Sequence, residues 1–205
     1  MSQIILASNS PRRKELLSLL GLDFTIQVSP IDERAVEAAL PPDMRTPSQL
    51  VAQMAQAKGL AVAEHAQAGQ IVIAADTIVA YADEILHKPK DAADAQAMLS
   101  KLSGQTHTVY TGMSVIYLTE NTENPIVHTS VTATDVTFRT LTQQEILDYI
   151  ATGEPMDKAG AYGIQGKGCI LVERIHGDYL NVVGLSLTAL YEELRANGVD
   201  ITKFW

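Results

Sequence analysis

The run Ile71-Val72-Ile73-Ala74-Ala75 carries no polar side chain on either face that a strand would present. Such a run has to be covered on both sides, the condition of a central strand in a parallel or mixed sheet. Ile4-Ile5-Leu6-Ala7 has the same character. Helical signals alternate with these strands, so the chain predicts an α/β fold, a mixed sheet flanked by helices. Its 205 residues suffice for one large domain or for two small lobes around a shared cleft. No linker divides the chain, and residues 1–205 are read as a single domain with a cleft between two lobes.

The local signals follow the same alternation. After the first strand, Ser10 suits an N-cap and Pro11 the first helical position, followed by Leu16, Leu17, Leu19, Leu20 and a terminating Gly21. Phe24 to Val28 reads as a second strand, and residues 29–45, with their prolines and acidic residues, as loop. Thr46-Pro47-Ser48-Gln49 has the form of a capping box, and the helix behind it sets Leu50, Met54, Ala57 and Ala61 on one face. The strand from Ile71 is expected to stop at Asp76-Thr77. Asp91 caps a further helix that Gly104 ends. Strands near 107–118 and 126–138 form a hairpin through the polar turn Thr119 to Pro125. Thr142-Gln143-Gln144-Glu145 is a second capping box, and Gly153 closes its helix. A glycine-rich loop, a strand from Cys169 to Ile175 and a helix carrying Leu187, Leu190, Tyr191 and Leu194 complete the chain.

Several function classes are excluded at this level. The longest apolar stretches are far too short to cross a bilayer, and Met1-Ser2-Gln3 offers no basic leader, so the expectation is a cytoplasmic protein without a membrane partner. A single cysteine leaves no intramolecular disulfide, and Cys169, inside Cys169-Ile170-Leu171-Val172, is expected to be a small core residue. The five histidines are scattered without ligand spacing. A net charge of −9 opposes broad nucleic-acid binding, so a polyanionic substrate would need a local pocket of positive charge.

Few basic residues cluster, which makes those that do informative. In Ser8-Asn9-Ser10-Pro11-Arg12-Arg13 a strand enters a polar turn and a capped helix. The free amides of a helix N-terminus attract phosphate, and two arginines there oppose the helix dipole unless an anion joins them. Solvated arginines at a surface helix start are the plainer alternative. Asp76, at the expected end of an apolar strand with Thr77 beside it, lies where open α/β sheets place ligands. A carboxylate there needs a cation or a metal. Lys58, at the edge of the apolar helix face, and Lys88, before Pro89, are candidate partners, although each also fits a snorkelling surface lysine. Glu33 is a loop carboxylate that can share a divalent cation with Asp76. Four of thirteen glycines fall between Gly160 and Gly168, a density that suits positive φ or close approach to a ligand, with Gln165 available to read a base edge. The spacing matches neither a Walker loop nor a dinucleotide fingerprint, and no nucleophile elbow is present. These residues alone imply an enzyme of phosphate esters or nucleotides.

Taken together, the segments resemble the Maf family. Ile5 to Leu17, with Ala7-Ser8-Asn9-Ser10-Pro11-Arg12-Arg13 at its centre, is similar to the family's opening signature. Ala75-Asp76-Thr77-Ile78-Val79, His87-Lys88-Pro89, Tyr110-Thr111-Gly112, Lys158 to Gly166, and Gly177-Asp178-Tyr179 through Leu185 resemble its other blocks in order. The resemblance implies a metal-dependent nucleoside triphosphate pyrophosphatase, using Mg, Mn or Co, whose proton acceptor falls on Asp76. Positions tied to substrate choice fall on Arg12, Thr77 and Gln165, and other pocket positions on Ser8, Arg13, Glu33, Lys58 and Lys88. Asp76 would either activate water or bind the metal that does so. The branch acting on 7-methyl-GTP has Trp, Gln and Glu at the three choice positions, whereas this chain resembles the dTTP/UTP branch at all three. Ser186 stands where the family usually has proline, and Asn9 where a smaller residue is commoner. The family resemblance also implies a homodimer and leaves room for a non-enzymatic part in septum formation.

Overall fold

The computed structural model describes residues 3–41, 44–82, 84–120 and 124–204, and in them the two apolar runs become neighbouring strands. Strand β1 (Ile4–Leu6) lies between β2 (Phe24–Ile26) and β3 (Ile71–Tyr81), parallel to both. Next come β4 (Glu84–Leu86), β5 (Thr106–Tyr117), β6 (Ile126–Phe138) and β7 (Val172–His176). The strand order is β2-β1-β3-β5-β6-β7, with β4 antiparallel on β3 and β7 antiparallel to β6. The helices are α1 (Pro11–Ser18), α2 (Glu33–Ala39), α3 (Pro47–Ala63), α4 (Ala92–Leu102), α5 (Gln143–Ala151), α6 (Tyr179–Val183) and α7 (Leu187–Ala196). The fold is therefore α/β with a mixed sheet, as the alternation of patterns requires.

The residues divide into two compact units, both built from separate stretches of chain. The first comprises residues 1–76, 111–132 and 184–205. Its core joins Ile5 and Ala7 to Val72 and Ala74 of β3, Val62 and Ala63 of α3, and Ile116 and Leu118. Helix α3 sits very close to the strands. A Cβ on Gly112 of β5 would fall 2.3 Å from the Val51 carbonyl oxygen, and one on Gly59 would meet the Ile116 side chain at 2.8 Å. Helix α7 buries Leu187, Leu190 and Leu194, and the Ser186 hydroxyl accepts the Ala189 N–H, so serine caps this helix in place of the family's usual proline.

The second unit comprises residues 77–110 and 133–183. Helices α4 and α5 pack together, with Leu99, Leu102, Ile146 and Tyr149 buried. The Thr142–Glu145 capping box forms with both bonds made, a cap of the kind worth about 1 kcal/mol. Phe138, His107 and Tyr162 meet edge to face, with ring centroids 4.7–5.2 Å apart. The block around Gly177 is architectural. The Asp178 N–H donates to the Thr134 hydroxyl, and the fully buried Asn181 amide donates to that hydroxyl and to the Val109 carbonyl.

Several local expectations change. Residues 29–45 contain α2, because Asp32 accepts the N–H groups of Arg34 and Ala35, and Glu33 follows as a first-turn acid. The acidic residues that read as breakers are the cap. At Thr46 the hydroxyl donates to the Gln49 side chain instead, so that capping box does not form, and Pro47 opens α3. The buried face of α3 includes Leu50 and Met54 with Val51, Ala55 and Val62, while Ala57 and Ala61 are half-buried. Strand β3 does not stop at Asp76 but continues to Tyr81, its far half paired with β4. Cys169 is exposed, because Gly166–Leu171 is a 3₁₀ turn that buries Gly168 and Leu171 rather than the start of a strand. The turn expected at Thr119 to Pro125 lies partly outside the described residues, at 121–123.

Candidate active site

The parallel ladder of β1 and β3 ends at Leu6 and Ile73, with one further bond from the Ala7 N–H to the Ile73 carbonyl. Beyond it β1 turns away through Ser8–Ser10 while β3 runs on, so Asp76 stands just past the carboxyl end of β1. Asp76 therefore lies where α/β sheets commonly place ligands, although it ends no strand of its own. Alternation puts Asp76 on the face of β3 that carries Val72 and Ala74, the face packed against α3, and Thr77 on the opposite one.

Helix α3 supplies the partner. The Lys58 Nζ lies 2.6 Å from Asp76 Oδ1 and 2.6 Å from Glu33 Oε1. The Lys58 and Asp76 side chains are only 11% and 16% exposed, against 58% for Glu33, so the inner pair has lost much of its water. A pair of that kind is bound less by its own attraction than by the cost of stranding either charge alone. Glu33 reaches Lys58 because it is the first residue of α2, directly after the Asp32 cap.

The turn after β1 adds two more groups. Ser8 is buried, and its Oγ accepts the Ser10 N–H at 3.2 Å and an Arg13 N–H at 3.4 Å. Arg13 also donates through Nε to the Gly184 carbonyl at 2.9 Å. Burial lowers the Arg13 pKa, Asp76 and Glu33 pull it back up, and Arg12 pushes it down. A guanidinium remains charged through all of this, so the group is a held cation. Helix α1 has no acidic residue in its first turn, and its Ser10 side chain makes no capping bond. Its N-terminus thus keeps its attraction for an anion, with Arg12 and Arg13 beside it. Within the first unit, the structure joins Glu33, Lys58 and Asp76 by ion pairs and Ser8 to Arg13 by a hydrogen bond, and Arg13 feels the charges of Asp76, Arg12 and Glu33.

Two carboxylates directed at one small cation position are also a donor set for a hard divalent ion. No group of three or more His, Cys, Asp or Glu side chains suited to a metal occurs among the described residues. Glu33 and Asp76 would leave the remaining positions to water and phosphate oxygens, the usual way in which Mg²⁺ is held beside a nucleotide. The two carboxylates are the hard donors that such an ion takes, while the Lys58 ammonium occupies the position between them in this structure.

Thr77, Lys88 and Gln165 belong to the second unit. Lys88 is exposed, between His87 and the buried Pro89, on the rim of a cavity of about 210 Å³ that Lys90 and Lys101 also line. Gln165 is exposed and extended, and it leads into the turn Gly166–Leu171. The glycines around it have positive φ at Gly160 and Gly166, as their density implies. Their close neighbours are protein groups, above all Tyr149 and Glu154, which sequence spacing does not single out. Glu154 meets the segment thirteen residues further on, and no local periodicity announces such a contact.

Comparison with known proteins gives a consistent picture. A family model described as "Maf-like protein" matches residues 3–197. The chain is 51% identical over 201 residues to a dTTP/UTP pyrophosphatase of Moorella thermoacetica, covering 98% of each chain. It is 48% identical over 202 residues to one of Bacillus cereus, covering 98% of this chain and 93% of the relative. It is 46% identical over 213 residues to one of Agathobacter rectalis, covering 98% of this chain and all of the relative.

Proposed function

Starting from the fact that this chain belongs to the Maf-like protein family, we propose that it is a nucleoside triphosphate pyrophosphatase that hydrolyses dTTP and UTP to the monophosphate and pyrophosphate. The observation that carries this reading is the convergence of Glu33, Lys58 and Asp76 beside the Ser8–Arg13 turn, two carboxylates and several cations at the end of β1. Arg12, Arg13 and Lys58 hold the triphosphate, with Ser8 orienting Arg13, and Lys88 of the second unit is a further substrate-binding cation by the family resemblance. Glu33 and Asp76 would hold a divalent cation, Mg²⁺, Mn²⁺ or Co²⁺. That ion, when bound, offsets charge on the phosphates. By the family resemblance, Arg12 of the first unit and Thr77 and Gln165 of the second are the residues tied to base choice.

In the reaction, water attacks the α-phosphorus and a new P–O bond forms. Asp76 takes the proton of that water as general base, or else would serve as a ligand of the ion, which would then supply the activation of water. The anhydride bond between the α- and β-phosphates breaks, and pyrophosphate leaves with the bonding pair. The single thiol, exposed at Cys169, suits the reducing cytoplasm, where we place the protein. Among the described residues no helix is long and apolar enough to cross a membrane. The test is hydrolysis in ¹⁸O-labelled water across a nucleotide panel with Mg²⁺, Mn²⁺ and Co²⁺. We expect label in the monophosphate, unlabelled pyrophosphate and preference for dTTP and UTP. Free phosphate with a nucleoside diphosphate would refute the reaction, and faster turnover of 7-methyl-GTP would refute the substrate.

A further inference from the structure

We propose that Tyr149 and Glu154 are positioning residues that hold Gln165 in place and thereby set base selectivity. The inference rests on the reading of Gln165 as a base-contacting residue. Glu154 Oε2 accepts the Lys167 N–H and Oε1 the Gly168 N–H, each at 3.0 Å. The Tyr149 hydroxyl donates to Glu154 Oε1 at 3.0 Å and accepts the Gly163 N–H at 3.1 Å. Gln165 thus sits between backbone amides anchored two residues before it and two after it. Lys158 closes the base of the segment, donating to the Glu154 carbonyl at 2.7 Å.

The glycines show how closely the segment is wrapped on this pair. A Cβ at Gly166, whose φ is +65°, would lie 2.8 Å from a Glu154 carboxylate oxygen. One at Gly168 would lie 2.6 Å from the Tyr149 hydroxyl and 2.3 Å from the Gly163 carbonyl oxygen. One at Gly163 would press on the Lys158 side chain at 2.8 Å. The glycine density that suggests approach to a ligand is therefore needed for approach to Glu154 and Tyr149. Burial raises the Tyr149 pKa, so its hydroxyl keeps the proton that it donates. Burial would also raise the Glu154 pKa, but the two N–H bonds and the phenol outweigh it and hold the carboxyl below its usual range. Ionised Glu154 can accept all three bonds together, a demand that a neutral amide cannot meet.

A Gln165 held this rigidly discriminates between bases because a wrong base leaves polar groups unpaired, whereas a mobile side chain adapts to either. The experiment compares Tyr149→Phe, Glu154→Gln, Gln165→Ala and both double variants with Gln165→Ala. For each, kcat and KM are measured on dTTP, UTP and dCTP, with thermal unfolding and amide exchange over residues 163–168. We expect Glu154→Gln and Tyr149→Phe to speed exchange across the segment. Both should lower the dTTP-to-dCTP ratio of kcat/KM about tenfold, towards that of Gln165→Ala. In the Gln165→Ala background they should lower it no further. Should Glu154→Gln unfold, Tyr149→Phe, which removes one oxygen, decides alone. A Gln165→Ala enzyme that loses selectivity while both clamp variants keep it would overturn the clamp alone. Equal loss of kcat on all nucleotides with the ratio intact would also overturn it, since that is the mark of a purely structural role. Full selectivity in Gln165→Ala would overturn the reading of Gln165 itself, and the clamp's part in selectivity with it.

Discussion

His107 offers a quantitative check on the packing of the second unit. Its side chain is 2% exposed, edge-on to Phe138 and Tyr162, with Nε2 2.8 Å from the Tyr162 hydroxyl. Burial pushes its pKa down from 6.5 to about 4, and the nearby Asp135 carboxylate opposes that only in part. The sign follows from proton counting. Between pH 4 and 6.5 the unfolded chain binds a proton that the folded chain refuses, so stability rises with pH across that window. The contribution is complete above pH 6.5 and lost as the pH falls through 4. A gap of roughly two and a half pH units, at about 1.4 kcal/mol each, corresponds to about 3 kcal/mol. The comparison is urea unfolding of the wild type and His107→Phe at pH 7.5, 6, 5 and 4.5. The phenyl ring preserves the edge-to-face packing but strands the Tyr162 hydroxyl, so the variant starts about 1–3 kcal/mol less stable. Carboxylate titration is common to both proteins and cancels in the difference. The difference should therefore shrink, or change sign, as the pH falls. A gap that stays constant from pH 7.5 to 4.5 would show that His107 titrates alike in both states, and the reasoning would fail.

The other predictions concern the active site and the close packing of α3. Asp76→Asn should fold and lose on the order of 10²–10⁴-fold in pyrophosphate release; near-normal turnover by a folded variant would make Asp76 structural. Lys58→Met strands the inner carboxylate and should cost about 3–5 kcal/mol, and added Mg²⁺ or Mn²⁺ should raise its Tm more than that of the wild type. A Tm that ignores the ions would argue against Glu33 and Asp76 as their ligands. Gly112→Ala puts a methyl group 2.3 Å from the Val51 carbonyl oxygen and should cost about 1–3 kcal/mol or more in urea unfolding.

What could be read from the sequence divides along physical lines. Strands and helices with strong periodicity or strong caps appear where expected, including β1, α4, α5, α7 and the long pair β5 and β6. The misreadings arise where a residue's meaning depends on a partner far along the chain. Asp76 reads as a strand end because a carboxylate in a buried strand is costly, and its ion pair with Lys58, eighteen residues earlier, makes it tolerable. The residues before Arg45 read as loop because acidic residues are poor in helix interiors, yet at a helix start they stabilise it. Cys169 reads as core because its neighbours are apolar, whereas a 3₁₀ turn rotates Cys169 and Ile170 outward and Leu171 inward.

The blocks that carry the family resemblance do two kinds of work, which sequence alone does not separate. The Tyr110-Thr111-Gly112 block contains a glycine that has no room for a side chain beside α3. The block from Gly177 buries an asparagine that ties β5, Thr134 and the start of α6 together. Neither needs a substrate to explain it. The opening signature differs, because two arginines in a helix first turn that holds no acidic residue oppose the helix dipole and gain from an anion. Asp76 differs in the same way, because burying it beside Lys58 offers little stability that a well-packed apolar pair would not match. A charged pair that well-packed apolar residues could replace together at little cost, although loss of one member alone strands the other, points to chemistry. Both signs agree with the roles proposed above for Arg12, Arg13, Lys58 and Asp76, while Gly112 and Asn181 keep the scaffold in place.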